Sequence, residues 1–271
     1  MLLFGRLFVC EREQSRLGCD NGPRPGGVMR EYDPTPCHER RRCDAAHMTT
    51  AVVLLSYWDG TLKAVMNEGA SERFPDHLLL PTSYVRFDQR IDQAVRDLLY
   101  HEVKMGDIDV EHFQTFSCPD RDSEARTICC AYVGAASAED LQFTAMINDR
   151  TVVDVTIDEL GEAQLSIGGM PVRTVLDHSE IIAGAVRHLR RHLTSSNLPW
   201  RMLEELFTLN DVQQIHEAIL GHRLTTAFFR KSVVKRTLPD GGRLVPHGQA
   251  TRGGAHRPAR LYYIDRGKQQ W

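Results

Sequence analysis

The residues with the clearest chemical use are the arginines and lysines near the C-terminus. Residues 221–271 contain 11 basic and 2 acidic residues, whereas residues 48–186 contain 10 basic and 23 acidic ones. The net charge is +1 for residues 1–47, −13 for residues 48–186 and +9 for residues 187–271, which together give the −3 of the chain. Cationic side chains neutralise phosphates, so this distribution favours a nucleic-acid-binding module at one end. A basic face that is only solvated is the alternative.

Two short helices are predicted to position these basic side chains. Thr208 and Asp211 have the spacing of a capping box, and apolar residues follow at helical spacing up to Gly221. After a turn, Thr225 or Thr226 is expected to cap a second helix that runs to about Lys235. This order is typical of a helix-turn-helix motif.

Two strand-like runs follow the second predicted helix, at residues 244–245 and 261–264. The loop between them is rich in glycine and contains Arg252 and Arg257. Two short strands around a basic loop indicate a wing. We therefore predict a winged helix-turn-helix domain over residues 199–271.

The acidic middle of the chain reads as an α+β domain. Two strand-like runs flank the turn at Asp59-Gly60, which is a hairpin signal. Further strands are expected near residues 113–116, 127–133 and 151–155, and helices are expected over residues 91–103 and 179–193. Asp177 and Ser179 precede the later helix as capping residues. We predict a domain over residues 48–178 and a linker helix over residues 179–198.

Residues 1–47 are expected to be a disordered or mis-annotated extension, because they are rich in glycine, proline and arginine and have no sustained apolar period. A zinc site there is disfavoured, since its cysteines lack a paired C-x2-C spacing. Apolar stretches fall short of the roughly 20 residues of a membrane span, and no signal peptide is recognisable. A cytoplasmic protein without membrane contact is the prediction.

The segment from Leu78 to Met105 resembles the Nudix box, G-x5-E-x7-R-E-U-x-E-E-x-G-U with U aliphatic. The arginine-glutamate pair of the pattern falls on Arg96 and Asp97, its isolated glutamate on Asp88, and its paired glutamates on Tyr100 and His101. Nudix hydrolases hold divalent metal ions with carboxylates on this helix, and such ions prefer oxygen ligands.

The face of the box helix carries too few carboxylates for that chemistry. Asp97, Tyr100 and His101 share a face at i, i+3 and i+4, so one carboxylate replaces three. Glu102 is one residue out of phase, which turns its side chain by about 100° in an α-helix. We therefore predict an inactive box, with no catalytic residue, no metal and no cofactor.

A second segment, FSCPDRDSEAR, resembles the P-x-R-D-x-R segment of Nudix proteins that handle ADP-ribose-like ligands, with Arg126 two residues beyond the last arginine of that pattern. The resemblance implies that Arg121, Asp122 and Arg126 contact the ligand, and Arg86 in the loop before the box helix could join them, since arginine binds phosphate oxygens in a bidentate manner. A solvated turn with internal ion pairs is the alternative.

The order of TVLDHSEII, FTLNDVQQIHEAILG, FRK and RPARLYYI after a Nudix-like domain resembles the NrtR family of Nudix-related transcriptional regulators. The resemblance implies a Nudix-like α/β/α sandwich followed by a winged helix-turn-helix. It also implies a homodimer that represses genes of NAD metabolism from a palindromic operator on double-stranded DNA and responds to ADP-ribose or a related nucleotide effector. The residues expected to contact DNA are Thr226, Arg230, Lys231, Lys235, Arg257 and Arg260.

Two features depart from the family pattern. Phe228 lies where a polar residue is expected, and Pro81-Thr82-Ser83 replaces a Pro-Gly-Gly sequence, which limits how closely the backbone can approach a phosphate. A hydrolase with residual ADP-ribose pyrophosphatase activity, using Asp88, Asp97 and Glu102, and an adaptor whose basic tail binds protein or RNA are the competing hypotheses.

Overall fold

The computed structural model describes residues 46–68, 76–106, 108–123, 125–249 and 259–267. The first 45 residues of the predicted N-terminal extension therefore lie outside the described residues, as does Arg257. Among the described residues, no helix combines the length and apolar composition that a membrane span requires.

A mixed eight-stranded sheet forms the centre of the first domain. Its order is β5-β6-β1-β2-β7-β8-β9, and β4 also pairs with β1. β1 runs parallel to β6, and the other neighbours are antiparallel. The strands are β1 (His47–Trp58), β2 (Thr61–Met66), β4 (Thr82–Tyr84), β5 (Val110–Phe116), β6 (Thr127–Ala135), β7 (Thr151–Ile157), β8 (Ala163–Ile167) and β9 (Met170–Pro171).

The predicted hairpin between β1 and β2 is confirmed. Asp59 and Gly60 both have positive φ, 50° and 84°, so the two-residue turn follows the twist of the strands. Because side chains alternate along a strand, β1 serves two cores. Ala51, Val53 and Leu55 face one cluster, and Val52 and Leu54 face the other.

Helices cover both faces of the sheet, which confirms the predicted α/β/α sandwich. The box helix and α2 (Ala138–Ile147) pack on the face that contains Val52 and Leu54. α3 (His178–Arg191) packs on the opposite face through Ile181, Ile182, Ala185, Val186 and Leu189.

The box helix changes its winding along its length. α1 (Ile91–Asp97) is α-helical, and Leu98–Val103 continue as a π-helix that ends at Lys104 with φ 62°. The sequence-based exclusion of Glu102 assumed α-helical winding throughout and is wrong on that point. The backbone hydrogen bonds of a π-helix join positions i and i+5, so the argument from α-helical winding no longer separates the Glu102 side chain from Asp97.

The chain reaches the second domain through a small parallel pair of strands and α3. β3 (His77–Leu78) pairs with β10 (Arg173–Thr174), which leads directly into α3. This helix begins one residue earlier than expected and is buried along the sandwich. It also contacts the second domain, so the division of the chain at residues 178 and 198 stays a prediction.

The second domain has the helix and strand order of a winged helix. A three-stranded sheet, β11-β13-β12, packs against the helices. The core contains Trp200, Phe207, Val212, Phe229 and Val233, with Leu238, Leu244 and Tyr262. The elements are α4 (Leu198–Arg201), β11 (Phe207–Thr208), α5 (Leu209–Leu220), α6 (Thr226–Val233), β12 (Arg243–Gln249) and β13 (Arg260–Asp265).

The two domains share part of one core. Ile215 and Ile219 of α5, together with Leu198 and Met202, belong to the same buried cluster as the α3 face of the sheet. Ile219 is fully buried and Ile215 is 3% exposed. The winged helix is therefore packed onto the sandwich by apolar side chains.

Candidate ligand and DNA-binding sites

The remaining carboxylate of the Nudix box is held by neighbouring cationic and amide groups. Gln89 Nε2 donates to Asp97 Oδ2 at 2.7 Å, and Arg86 Nη2 lies 3.8 Å from the same oxygen. Tyr100 is 65% exposed and meets the His101 ring edge to face, with 5.0 Å between ring centroids. The two positions at which the Nudix box has paired glutamates thus carry aromatic rings.

This donor set does not fit the divalent metal cluster of a Nudix hydrolase. Magnesium needs several oxygen ligands in octahedral geometry, and Asp97 with Glu102 would supply two carboxylates. Within the part of the chain that the structure describes, no three His, Cys, Asp or Glu side chains form a group that could hold a metal ion.

Arg86 is the predicted ligand residue with the most accessible side chain. It lies in the loop before α1, its side chain is 65% exposed, and it is also 3.9 Å from Asp88. Arg126 lies on the other side of β1. The Val85 amide donates to Met48, and the His47 amide donates to Arg126, so β1 separates the two segments. Two strand spacings place the two backbones about 10 Å apart.

The P-x-R-D-x-R segment makes more internal contacts than the sequence suggested. Arg126 Nη1 donates to the carbonyls of Cys118 and Thr127, at 3.3 and 3.5 Å, and Asp122 accepts from the Thr127 hydroxyl at 3.2 Å. Only part of the Arg126 side chain is exposed. Its ligand contact, like that of Asp122, stays a prediction.

Arg121 is buried and paired within the protein. Its Nε and Nη2 donate to the two oxygens of Asp177 at 2.8 and 2.7 Å, and its side chain is 3% exposed. Burial opposes the charge of Arg121, but the hydrogen bonds and charge of Asp177 outweigh it, so the pKa of Arg121 is raised above its ordinary value. The sequence predicts that this guanidinium contacts the ligand, whereas in the structure both of its forked donors are engaged by Asp177.

Asp177 has a partner in the structure that the sequence does not predict. It occupies the N-cap position of α3, as expected, but its side chain makes no capping hydrogen bond. Its carboxylate turns to Arg121 instead, 56 residues earlier in the chain. An aspartate before a helix signals a cap, and the sequence gives no sign of this competing partner.

Hydrogen bonds hold α6 firmly against α5, the helix that precedes it. Thr208 and Asp211 form the complete predicted capping box at the start of α5. The buried Glu217 carboxylate accepts from the Leu224 amide and from Arg223, both at 2.9 Å, which fixes the turn. Gln213 donates to the Thr226 hydroxyl at 3.1 Å, so the first residue of α6 is tied to α5.

The exposed face of α6 is basic. Phe229 and Val233 are buried, whereas Thr226, Arg230 and Lys231 are exposed, and so is Lys235, two residues after the end of the helix. None of the ion pairs among the described residues involves these three cations. Arg260 is exposed at the start of β13, beside the wing.

Two details of α6 differ from expectation. Thr225 is its N-cap, but its side chain makes no capping bond. Phe228, where a polar residue was expected, is 76% exposed on the helix and therefore does not join the core.

A cleft of about 890 Å³ lies between the sandwich and the wing, away from the predicted ligand residues. Phe143, Arg201, Glu204 and Tyr263 are among the residues that line it. Its lining mixes charges of both signs with apolar side chains.

Comparisons with known proteins agree with this architecture. Residues 199–264 match the family model of the NrtR DNA-binding winged helix domain. A curated relative from Acinetobacter baylyi, the ADPR responsive transcriptional repressor NtrR, is 30% identical over 86 residues. That match spans 32% of this chain and 32% of the relative, about a third of each.

Two solved structures share the fold over most of the chain. Shewanella oneidensis NrtR complexed with a 27mer DNA has a TM-score of 0.63 and 23% identity, covering 81% of this chain and 94% of that one. A MutT/nudix family protein from Enterococcus faecalis has a TM-score of 0.60 and 17% identity, covering 84% and 90%. The predicted NrtR winged helix domain is thus confirmed over residues 199–264, and it follows a sandwich with the fold of these two structures.

Proposed function

We propose that the protein is a DNA-binding transcriptional repressor of NAD metabolism genes that senses ADP-ribose or a related nucleotide through a catalytically inactive Nudix domain. The observation that carries this proposal is the group of three exposed cations on α6 and in the turn that follows it, which are available to phosphates while Gln213 and Glu217 fix the helix in place. Such a group gives strong, salt-dependent attraction to duplex DNA.

The effector part of the proposal rests on the sandwich. Arg86 is exposed beside a box that lacks the carboxylates of a hydrolase, so a diphosphate could be bound there without being cleaved. The curated relative is described as ADPR-responsive. We extend that response to this chain, with Arg86 and the exposed part of Arg126 as the phosphate contacts.

The proposal also includes the oligomeric state of the protein and its location in the cell. A two-fold dimer on a palindromic operator follows from the way winged helix proteins read two half-sites about one helical turn apart. A DNA-binding regulator acts on chromosomal DNA, so we propose that the protein is cytoplasmic.

The test is DNA binding by the purified full chain to its own upstream region and to promoters of NAD-synthesis genes, with and without ADP-ribose. We expect selective binding that weakens with salt and changes when ADP-ribose is added. Selective binding that ignores ADP-ribose would remove the assigned effector and keep the regulator. Absence of selective binding at low salt would remove the regulator itself.

A residual ADP-ribose pyrophosphatase is the second candidate, because the π-helix removes the objection to Glu102 acting beside Asp97. This activity would require magnesium-dependent turnover of ADP-ribose that Asp97→Ala abolishes. We expect no such turnover at high protein concentration, since two carboxylates supply too few ligands.

A further inference from the structure

One buried ion pair connects the P-x-R-D-x-R segment with α3. Arg121 and Asp177 form a bidentate pair in which both side chains are largely excluded from water. Arg126 lies five residues after Arg121 in the same segment and remains partly accessible. A movement of this segment that separates the pair leaves the Asp177 carboxylate in need of another partner, because a buried charge without a partner is costly.

Asp177 has a second set of partners within reach. It is the N-cap of α3, where a carboxylate normally accepts hydrogen bonds from the first-turn amides, yet it makes none. One carboxylate thus has two alternatives, the Arg121 guanidinium or the N-terminus of α3. A group with two competing partners has the properties of a switch.

The C-terminal end of α3 contacts the helix-turn-helix. Arg190 Nε donates to the Ile219 carbonyl at 2.6 Å, near the end of α5. A Cβ added to Gly221 would lie 3.1 Å from Arg190 Nη2, so the guanidinium sits against the αL residue that ends α5. Between its two ends α3 is packed along its length, and 14 residues span about 20 Å.

The contacts of α5 carry this connection to the recognition helix. Gln213 of α5 donates to Thr226, the first residue of α6, and Glu217 holds the turn between the helices. A shift of α5 therefore moves the exposed cations of α6 with it.

We propose that α3 transmits the ligand signal to the helix-turn-helix. A nucleotide bound at Arg86 and Arg126 displaces the segment that carries Arg121, and the Asp177 carboxylate then exchanges Arg121 for the N-terminal amides of α3. Arg190, at the other end of α3, passes the resulting shift to α5. In this mechanism Arg121 and Asp177 are positioning residues and not ligand contacts. The mechanism rests on the proposed function, because it requires that ADP-ribose alters DNA binding.

The test separates binding from coupling. Asp177→Asn keeps the shape of the side chain, but its NH2 group faces the Arg121 donors, so the bidentate pair is lost. Arg190→Met keeps the stem of the side chain and removes the bond to Ile219 at the other end of α3. Asp154→Asn is the matched control, since it removes an ion pair with Lys63 on β2 and β7, away from α3.

For each full-length variant, ADP-ribose affinity is measured by calorimetry, and operator affinity is measured with and without ADP-ribose. We expect Asp177→Asn and Arg190→Met to bind each ligand alone within about 3-fold of wild type. The ratio of the two operator affinities should fall from the 5- to 150-fold that is usual for coupled sites to below about 2-fold. Asp154→Asn should keep the wild-type ratio.

The outcomes distinguish the mechanism from the proposed function. A wild-type chain that does not bind ADP-ribose, or whose operator affinity ignores it, removes the effector and the mechanism with it. A wild-type ratio in both α3 variants overturns the mechanism and leaves the effector in place, and loss of the ratio in Asp154→Asn overturns it too. If Asp177→Asn does not fold, the ratio of operator affinities measured for Arg190→Met tests the mechanism by itself.

Discussion

His178 is a buried histidine that must remain neutral. Its Nδ1 accepts a hydrogen bond from the Leu80 amide at 3.0 Å, so a proton on that nitrogen would break the contact. Burial lowers the pKa of His178 to about 4, and burial likewise lowers the pKa of His216 to about 4. One of these residues joins α3 to the segment before the Nudix box, and the other packs between Trp200 and Phe229.

We expect the protein to lose stability as the pH falls from about 6.5 to about 4. In this window the unfolded histidines bind protons and the folded ones do not, so acid favours the unfolded state. Above pH 6.5 both states are neutral and this contribution is complete. Each histidine should remove about 2 kcal/mol from the free energy of unfolding between pH 7 and pH 5. Urea unfolding at several pH values measures the slope.

His178→Asn tests the assignment, because its side-chain oxygen can accept the Leu80 hydrogen bond without titrating. We expect this variant to show about half the acid sensitivity that the two histidines produce together. An unchanged slope would contradict the role given to His178.

The cations of α6 should each contribute to the salt dependence of DNA binding. Arg230→Ala or Lys231→Ala removes one of the proposed phosphate contacts, so the slope of log affinity against log salt should decrease in magnitude by about 1. Fluorescence anisotropy with a fixed operator across a salt series measures it. Arg96→Ala is the control, since Arg96 is equally exposed on the sandwich and pairs with Asp92. A slope that responds to Arg96 as much as to Lys231 would contradict the assigned interface.

Among the elements, α5 depends on its N-terminal capping box. Thr208→Ala leaves the Asp211 amide without its acceptor, and we expect a loss of about 1 kcal/mol in the free energy of unfolding. Thr237→Ala, an exposed threonine in the same domain, should cost less. Chemical denaturation of both variants compares them, and equal losses would mean that the box contributes little.

The elements that local sequence determines were predictable. The Asp59-Gly60 hairpin, the capping box and the αL glycine at Gly221 follow from backbone conformations that few residues adopt. The period of the apolar residues likewise located α1, α3 and α5, with ends that differ by only a few residues.

Features that depend on long-range contacts were not predictable from the sequence. The π-helical winding over Leu98–Val103 changes which residues share a face. The apolar residues of this segment have a spacing that also suits an α-helix, so the sequence does not reveal the change. The Arg121–Asp177 pair joins residues 56 positions apart, and each has a common local explanation, a ligand contact or a helix cap. Thr225 was expected as a capping residue from its type alone, but the bond depends on a rotamer that the sequence does not determine.

At the scale of the whole molecule, the common core should make the two domains unfold together. Ile219 of α5 is fully buried in the cluster that also contains the apolar face of α3, so Ile219→Ala should cost about 2–5 kcal/mol and lower the stability of both domains in one transition. Differential scanning calorimetry shows whether the two domains unfold in one transition or in two. Ile147→Ala is the control, since Ile147 is 48% exposed on α2. Two separate transitions in the wild-type chain would contradict a common core.

The charges of the two domains give the molecule a permanent electric moment. The chain up to residue 186 contributes −12 and the remainder contributes +9, so the negative charge belongs to the sandwich and the positive charge to α3's last turn and the winged helix. In the field of a duplex this moment turns the basic end forward and holds the acidic end away. Under the proposed function, we therefore expect most diffusional encounters with DNA to begin in a productive orientation and a second duplex to be repelled from the opposite side.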